Sequence, residues 1–237
     1  MDRINIGIIG FGFVGSSVAY GFSPQTGFDM ADIRIYDKDD SKSTHSLESV
    51  LDNSDFIFLS VPTPASINDG SINLSILESV LSEVNDYGTK EGCVVLVRST
   101  IVPGTTRRFQ KMFKNITLVF NPEFLTERSA KFDFINQARF ILGGEPEQTK
   151  KVAELFRIRF GNSTPTIETD FETAEFIKYM NDVAKEMGMS STRFQNAHGL
   201  TQKNHYSTAN DMLILARRLM LDYPEYFNLF GRVETYA

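Results

Sequence analysis

A short apolar run, Ile4 to Ile9, ends directly in Gly10-Phe11-Gly12-Phe13-Val14-Gly15, and the small and apolar residues Val14 to Phe22 follow at once. A glycine-punctuated turn between a buried strand and a helix commits a chain to an α/β layout, because each glycine does a different job. Gly10 allows the tight turn, Gly12 lets backbone approach a pyrophosphate, and Gly15 lets helix and strand pack closely. The phosphates would rest on the positive end of the helix dipole, beside Phe13 and Val14. Asp37 closes a second strand, Ile33 to Asp37, about twenty residues further on, where a carboxylate accepts hydrogen bonds from a ribose 2′-hydroxyl. A carboxylate there also repels a 2′-phosphate, so the expected cofactor is NAD rather than NADP. The plainer alternative is a glycine turn that binds nothing.

The rest of the first 170 residues keeps the same alternation. Strands are predicted at Phe56 to Pro62, in "CVVLVRST", in "ITLVFNPEF" and in "ARFILGG". Between them fall helices in "SLESVLDNSD", at Leu74 to Val84 with Leu74, Leu77, Leu81 and Val84 on one face, and at Pro146 to Phe160. Strand–helix alternation of this kind predicts a Rossmann-type doubly wound parallel sheet over residues 1–170. From Phe171 the character changes. "FETAEFIKYMNDVAKEMGM" reads as a helix capped at Thr169 or Asp170 and stopped near Gly188. A polar loop follows, then a helix in "STANDMLILARRLMLDY" with Ser207 as its N-cap and Pro224 just past its end. Residues 171–237 are therefore expected to form a short helical tail.

Composition narrows the function classes. A formal net charge of −6 argues against a broad electrostatic grip on nucleic acid or anionic lipid. The single cysteine, Cys93, rules out an intramolecular disulfide or a cysteine-based zinc cluster within these residues. No run approaches the roughly 18 apolar residues of a membrane span, and the chain is read as cytoplasmic. His198 and His205 have no third ligand at a recognisable spacing, so no metal site is expected.

Five ordered segments carry a resemblance: "GFGFVG", "SVPTP" at Ser60–Pro64, "RSTIVPGTT" at Arg98–Thr106, "NPEFLTERSA" at Asn121–Ala130 and "ETAEFIKYMN" at Glu172–Asn181. Together they resemble the UDP-glucose/GDP-mannose dehydrogenases over roughly the first 180 residues. That resemblance implies a double oxidation of the UDP-glucose C6 hydroxyl to a carboxylate, using two NAD. It implies that Pro62, Thr63, Ser99 and Thr100 line the cofactor, Thr63 offering its hydroxyl, and that Thr100 helps orient the water used in catalysis. Glu123 and Glu127 would stand near the reacting sugar carbon, one as general base or stabiliser of an intermediate. They are four apart, so a helical turn would put both on one side. Lys178 resembles the lysine that steadies developing oxyanions, a task an ammonium suits.

The resemblance also breaks. The family's nucleophilic cysteine lies in a glycine-rich "FGGxCFPKD"-like stretch after the central helix, and no such stretch occurs here. Cys93 opens the strand "CVVLV" and is read as a small buried hydrophobe. The asparagine expected four places after the lysine is Asp182, with Asn181 one place early. From Met180 to Phe230 the chain is instead similar to an internal segment of serine-type D-alanyl-D-alanine carboxypeptidases, as though two lineages were joined near Met180–Asn181. Such peptidases need Ser-x-x-Lys and Lys-Thr-Gly; neither occurs, and "GTK" at Gly88–Lys90 has the wrong order. The expectation is thus the NAD-binding part of a UDP-sugar dehydrogenase in which net UDP-glucuronate formation is absent or very weak. An NAD-binding protein without turnover is the first alternative, and a carboxypeptidase-related cell-wall protein the last. The family dimerises through its central helix, and with that helix stopping near Gly188 weak or no dimerisation is expected.

Overall fold

Short runs rich in Ile, Val, Leu and Phe, bounded by glycine, proline and polar residues, become strands; longer runs with apolar residues every third or fourth place become helices. A computed structural model describes residues 3–66, 71–196 and 199–227, so His198 lies outside the described residues. The strands are β1 (Ile4–Ile9), β2 (Ala31–Tyr36), β3 (Phe56–Leu59), β4 (Val94–Val97), β5 (Leu118–Phe120), β6 (Phe140–Gly143) and β7 (Thr166–Thr169). The helices are α1 (Phe13–Gly21), α2 (Leu47–Asn53), α3 (Ser75–Tyr87), α4 (Thr105–Met112), α5 (Ala130–Ile135), α6 (Pro146–Phe160), α7 (Phe171–Glu186), α8 (Ala209–Asp222) and α9 (Pro224–Phe227). The chain divides into two compact units, Met1–Lys178 and Tyr179–Ala237.

The first unit holds one sheet in the order β2-β1-β3-β4-β5-β6-β7. β1 pairs in parallel with β2 on one side and β3 on the other, and β4 and β5 continue in parallel. Both faces are covered, so β3 and β4 are buried along their whole length and read as unbroken apolar runs. Alternate side chains of β4 enter different cores. Val95 and Val97 join Leu51, Leu77, Leu81, Phe109 and Ile177 on one face. Val94 and Leu96 join Val18, Phe134, Val152 and Phe156 on the other. The second face is mainly aromatic, with Phe140 stacked on Phe156 at 4.0 Å between ring centroids.

The sheet departs from the expected one in two ways. β6 meets β5 antiparallel, through Phe120 opposite Gly143. β7, parallel to β6, is a strand that the sequence reading omits. Its residues Thr-Ile-Glu-Thr hold one apolar side chain because it lies at the edge of the sheet and is only partly covered.

In the second unit Asn181 donates to the Phe194 carbonyl and accepts from the Phe194 amide, at 2.9 and 3.0 Å. Arg193 and Tyr206 form a two-way backbone bridge. The expected N-cap Ser207 is corrected to Thr208, whose hydroxyl accepts from Asp211 N at 3.1 Å. Ser207 is otherwise engaged, its hydroxyl lying 2.8 Å from that of Thr192. Among the described residues no helix is long and apolar enough to cross a membrane.

Candidate functional site

The order β2-β1-β3 makes the sheet change direction at β1, so the loops after β1 and β3 diverge and leave a crevice at their carboxyl ends. Gly10 sits there at φ 90°, and a Cβ on it would lie 2.4 Å from the Ser60 carbonyl oxygen. A Cβ on Gly15 would lie 2.0 Å from the Gly10 carbonyl oxygen, so only glycine lets α1 start this close to β1. Gly12 is different. It is exposed, a Cβ there would meet nothing within 4 Å, and no side chain caps α1. The first N–H groups of α1 thus have no side-chain cap, and no acidic residue in the first turn competes with an anion. Phe13 and Val14 form that turn, Phe13 exposed and Val14 half-buried.

Asp37 follows β2 and stands beside this turn. Its Oδ2 accepts from Phe11 N at 2.5 Å and its Oδ1 from Asp39 N at 2.9 Å. A carboxylate held this way keeps lone pairs for a vicinal diol. Open backbone at Gly12, tight packing at Gly10 and Gly15, and an acid alongside are the features a dinucleotide requires, and the residues present fit one.

The neighbouring loops are stitched together. Thr63 Oγ1 donates to the Thr100 carbonyl at 2.7 Å, and Ser99 Oγ donates to the Val61 carbonyl at 2.6 Å. The Thr63 hydroxyl proton is thus committed within the protein, and its oxygen is left to accept. Pro62 is exposed, Thr100 half-buried and Ser99 buried at the same edge.

The structure brings Glu123 and Lys178 together, with Nζ 3.7 Å from Oε1 and both side chains nearly buried. The ammonium also lies 5.4 Å from the centre of the Phe124 ring. Glu127 is exposed and begins a 3₁₀ turn, Glu127–Ser129. The helical turn expected to align Glu123 with Glu127 is therefore corrected. Side chains claim the backbone donors of this stretch in a non-helical path: Glu123 Oε2 accepts from Leu125 N, and Asp133 Oδ2 from Thr126 N.

Three neighbours of the site lie within the quoted motifs, but their roles appear only in the structure. Arg98 is fully buried between the rings of Phe58 and Phe134, and its Nη1 donates to Asn121 Oδ1. Burial pushes its guanidinium down to about 10, against the opposing pull of Glu123. Asn121 in turn donates to the Ile141 carbonyl at 3.0 Å, tying β5 to β6. Glu175, wholly buried on α7, accepts from Gly104 N and Thr106 N. In contrast, Cys93 is confirmed as an inert core residue, its thiol pushed up to about 12 by burial. His205 Nδ1 accepts from Gln195 N at 3.3 Å, a local loop contact.

Fold and crevice together define an α/β dinucleotide-binding protein with an ion pair of acid and lysine at the same sheet edge. A family model described as the UDP-glucose/GDP-mannose dehydrogenase family, NAD binding domain, matches residues 33–159. The chain belongs to the UDP-glucose/GDP-mannose dehydrogenase family, and the cofactor of its first domain is NAD. UDP-glucose 6-dehydrogenase AglM of Haloferax volcanii is 26% identical over 220 residues, which cover 76% of this chain and 50% of that protein. A GDP-mannose dehydrogenase from Pseudomonas aeruginosa superposes with a TM-score of 0.63 at 24% identity, over 78% of this chain and 51% of that one; the likeness speaks for the fold. This chain spans 23% to 50% of the length of the first curated relatives it matches. A second family model, D-alanyl-D-alanine carboxypeptidase, matches residues 172–234. D-alanyl-D-alanine carboxypeptidase DacF of Bacillus subtilis is 37% identical over 100 residues, 41% of this chain and 25% of that protein.

Proposed function

We propose that these residues bind NAD and a UDP-sugar and carry out the first oxidation at the sugar C6 hydroxyl, UDP-glucose being the favoured substrate. The observation that carries this reading is the placement of the Glu123–Lys178 pair at the same carboxyl edge of the sheet as the glycine turn and Asp37. NAD, when bound, supplies the hydride acceptor. Asp37 holds the ribose hydroxyls, and the first turn of α1 holds the pyrophosphate with Phe13 and Val14. Glu123 takes the hydroxyl proton as the C6 alcohol becomes an aldehyde. Lys178 stabilises the negative charge that grows on the same oxygen, an interaction strengthened by its burial. Thr100, its carbonyl fixed by Thr63, orients water at the edge of the site, and Glu127 serves the sugar from the exposed rim.

The second oxidation needs a thiolate to capture the aldehyde. The only cysteine among these 237 residues is Cys93, buried and protonated. The residues here therefore support one NADH per sugar at most. We place the reaction in the cytoplasm, read residues 1–170 as the NAD-binding domain, and treat residues 171–237 as a helical tail, in which the start of the central helix is followed from about Met180 by a carboxypeptidase-like segment without peptidase chemistry. α7 ends at Glu186, and Gly188 at φ 85° follows it. The central helix thus offers a short dimer face, and light scattering should give the mass of a monomer.

The deciding experiment follows NADH at 340 nm with purified protein, NAD and UDP-glucose, with NAD binding measured on the same sample. A burst of up to one NADH per sugar supports the reading. Two NADH per sugar would overturn the account of Cys93, and binding without NADH would leave a cofactor-binding protein without turnover.

A further inference from the structure

We infer that Glu175 is a positioning residue of this site: from α7 it caps the start of α4 and so sets the Thr100 loop against Lys178. The inference rests on the roles given to Thr100 and Lys178 above. The N-cap residue of α4 is Gly104 at φ 91°, which has no side chain to satisfy the first N–H groups of the helix. The cap comes from 71 residues away. Glu175 Oε2 accepts from Gly104 N at 2.5 Å, and Oε1 accepts from Thr106 N at 2.7 Å. One carboxylate thus does what a local capping box does with two side chains, with its charge at the favourable end of the helix dipole.

The position is a costly one for a charge. Phe171, Ala174 and Ile177 of the same helix are packed into the apolar core, and Glu175 itself is fully buried. A leucine would serve packing better. What the carboxylate provides instead is a fixed distance between two parts of the site. Glu175 lies one helical turn before Lys178, which reaches Glu123 in the loop after β5. One turn earlier, Glu172 takes both Nε and Nη2 of Arg107 on α4. The spacing 172, 175, 178 therefore ties α7 twice to α4 and once to the β5 loop. Thr100, four residues before Gly104, is held at its other side by Thr63.

The test compares the parent with Glu175→Gln and Glu175→Asp in the full chain. Gln keeps the shape but offers one acceptor and presents an N–H₂ to a backbone donor; Asp keeps the charge on a shorter stem. Three readouts are taken: amide exchange across 99–106, the NAD dissociation constant, and single-turnover NADH formation from UDP-glucose. In E175Q exchange at Gly104 and Thr106 should quicken at least tenfold, and NADH formation should fall at least tenfold. NAD affinity, set at Gly10–Gly15 and Asp37, should change less than threefold, and E175D should recover part of the loss. Parent-like exchange and parent-like NADH formation in E175Q would overturn the inference. If the parent itself forms no NADH, the proposed reaction fails on its own account and the exchange decides Glu175. Faster exchange confined to 99–106 then upholds it, and unchanged exchange sinks it. If E175Q does not fold, E175D is judged by the same exchange criterion.

Discussion

At the scale of single residues the crevice depends on a few groups whose roles are separable. Asp37 both accepts from Phe11 N and presents lone pairs to a ribose. Asp37→Ala removes both, so NAD should bind roughly ten- to a hundredfold more weakly, as expected for a charge-assisted bond or two at about 1.5–3 kcal/mol in total. The same change should narrow the gap between NAD and NADP, and fluorescence titration with both reduced cofactors checks it. Cys93 makes the opposite kind of prediction. With its thiol at about 12, roughly one molecule in ten thousand carries the thiolate at pH 8. A thiol reagent should leave the native protein unlabelled and label it stoichiometrically in denaturant. Cys93→Ala should leave NADH formation unchanged; native-state labelling at the rate of a free thiol would contradict the burial. Asp37 was legible because its distance from the glycines is a sequence pattern. Glu175 was not, because its partners are the backbone of Gly104 and Thr106, and spacing along a chain carries no sign of a cap delivered from another helix.

At the scale of elements, buried strands and long amphipathic helices were legible and edges were not. α6 was read at Pro146 to Phe160 because a proline start and a following glycine mark both ends. β7 escaped because an edge strand needs little apolar character. The cap of α8 was placed one residue early because Ser207 and Thr208 are chemically alike, and only Thr208 lies within reach of Asp211 N. Thr208→Ala should therefore cost about 1 kcal/mol, and Ser207→Ala a few tenths at most, in denaturant titrations. Equal losses would return the cap to Ser207. The α4–α7 junction adds a pH dependence. Burial raises the Glu175 carboxyl, and the charge of Glu172 pushes the same way, against the two backbone bonds. A raised carboxyl contributes stability that is present below its ordinary value of 4.5 and is lost as pH rises through the folded value. Replacing it with glutamine removes that dependence. The melting temperature of E175Q relative to the parent should thus climb between pH 4.5 and pH 7, even as the 99–106 amides exchange faster. A difference independent of pH would mean that the carboxylate is not desolvated.

At the scale of the whole molecule the two units differ in what holds them. Met1–Lys178 carries an apolar core on each face of the sheet. In Tyr179–Ala237 the buried apolar side chains among the described residues are Ala184 and Met189, and the polar Gln195, Asn196 and Asp211 are buried as well. Apolar burial is the main favourable term in folding, whereas a satisfied polar contact contributes little net. The second unit should accordingly melt at a lower temperature. NAD adds a way to tell the units apart, since its contacts are assigned to the first. At a hundred times its dissociation constant a ligand stabilises the state it binds by about 2.7 kcal/mol. For a unit of this size that raises the midpoint by roughly 5–10 °C. Scanning calorimetry with and without NAD should show an upper transition that moves by this amount and a lower one that stays in place. If both moved together, the carboxypeptidase-like segment would have to be counted within the cofactor-binding fold rather than beside it. If neither moved, the crevice around Gly12 and Asp37 would not hold NAD, and the proposed oxidation would fall with it.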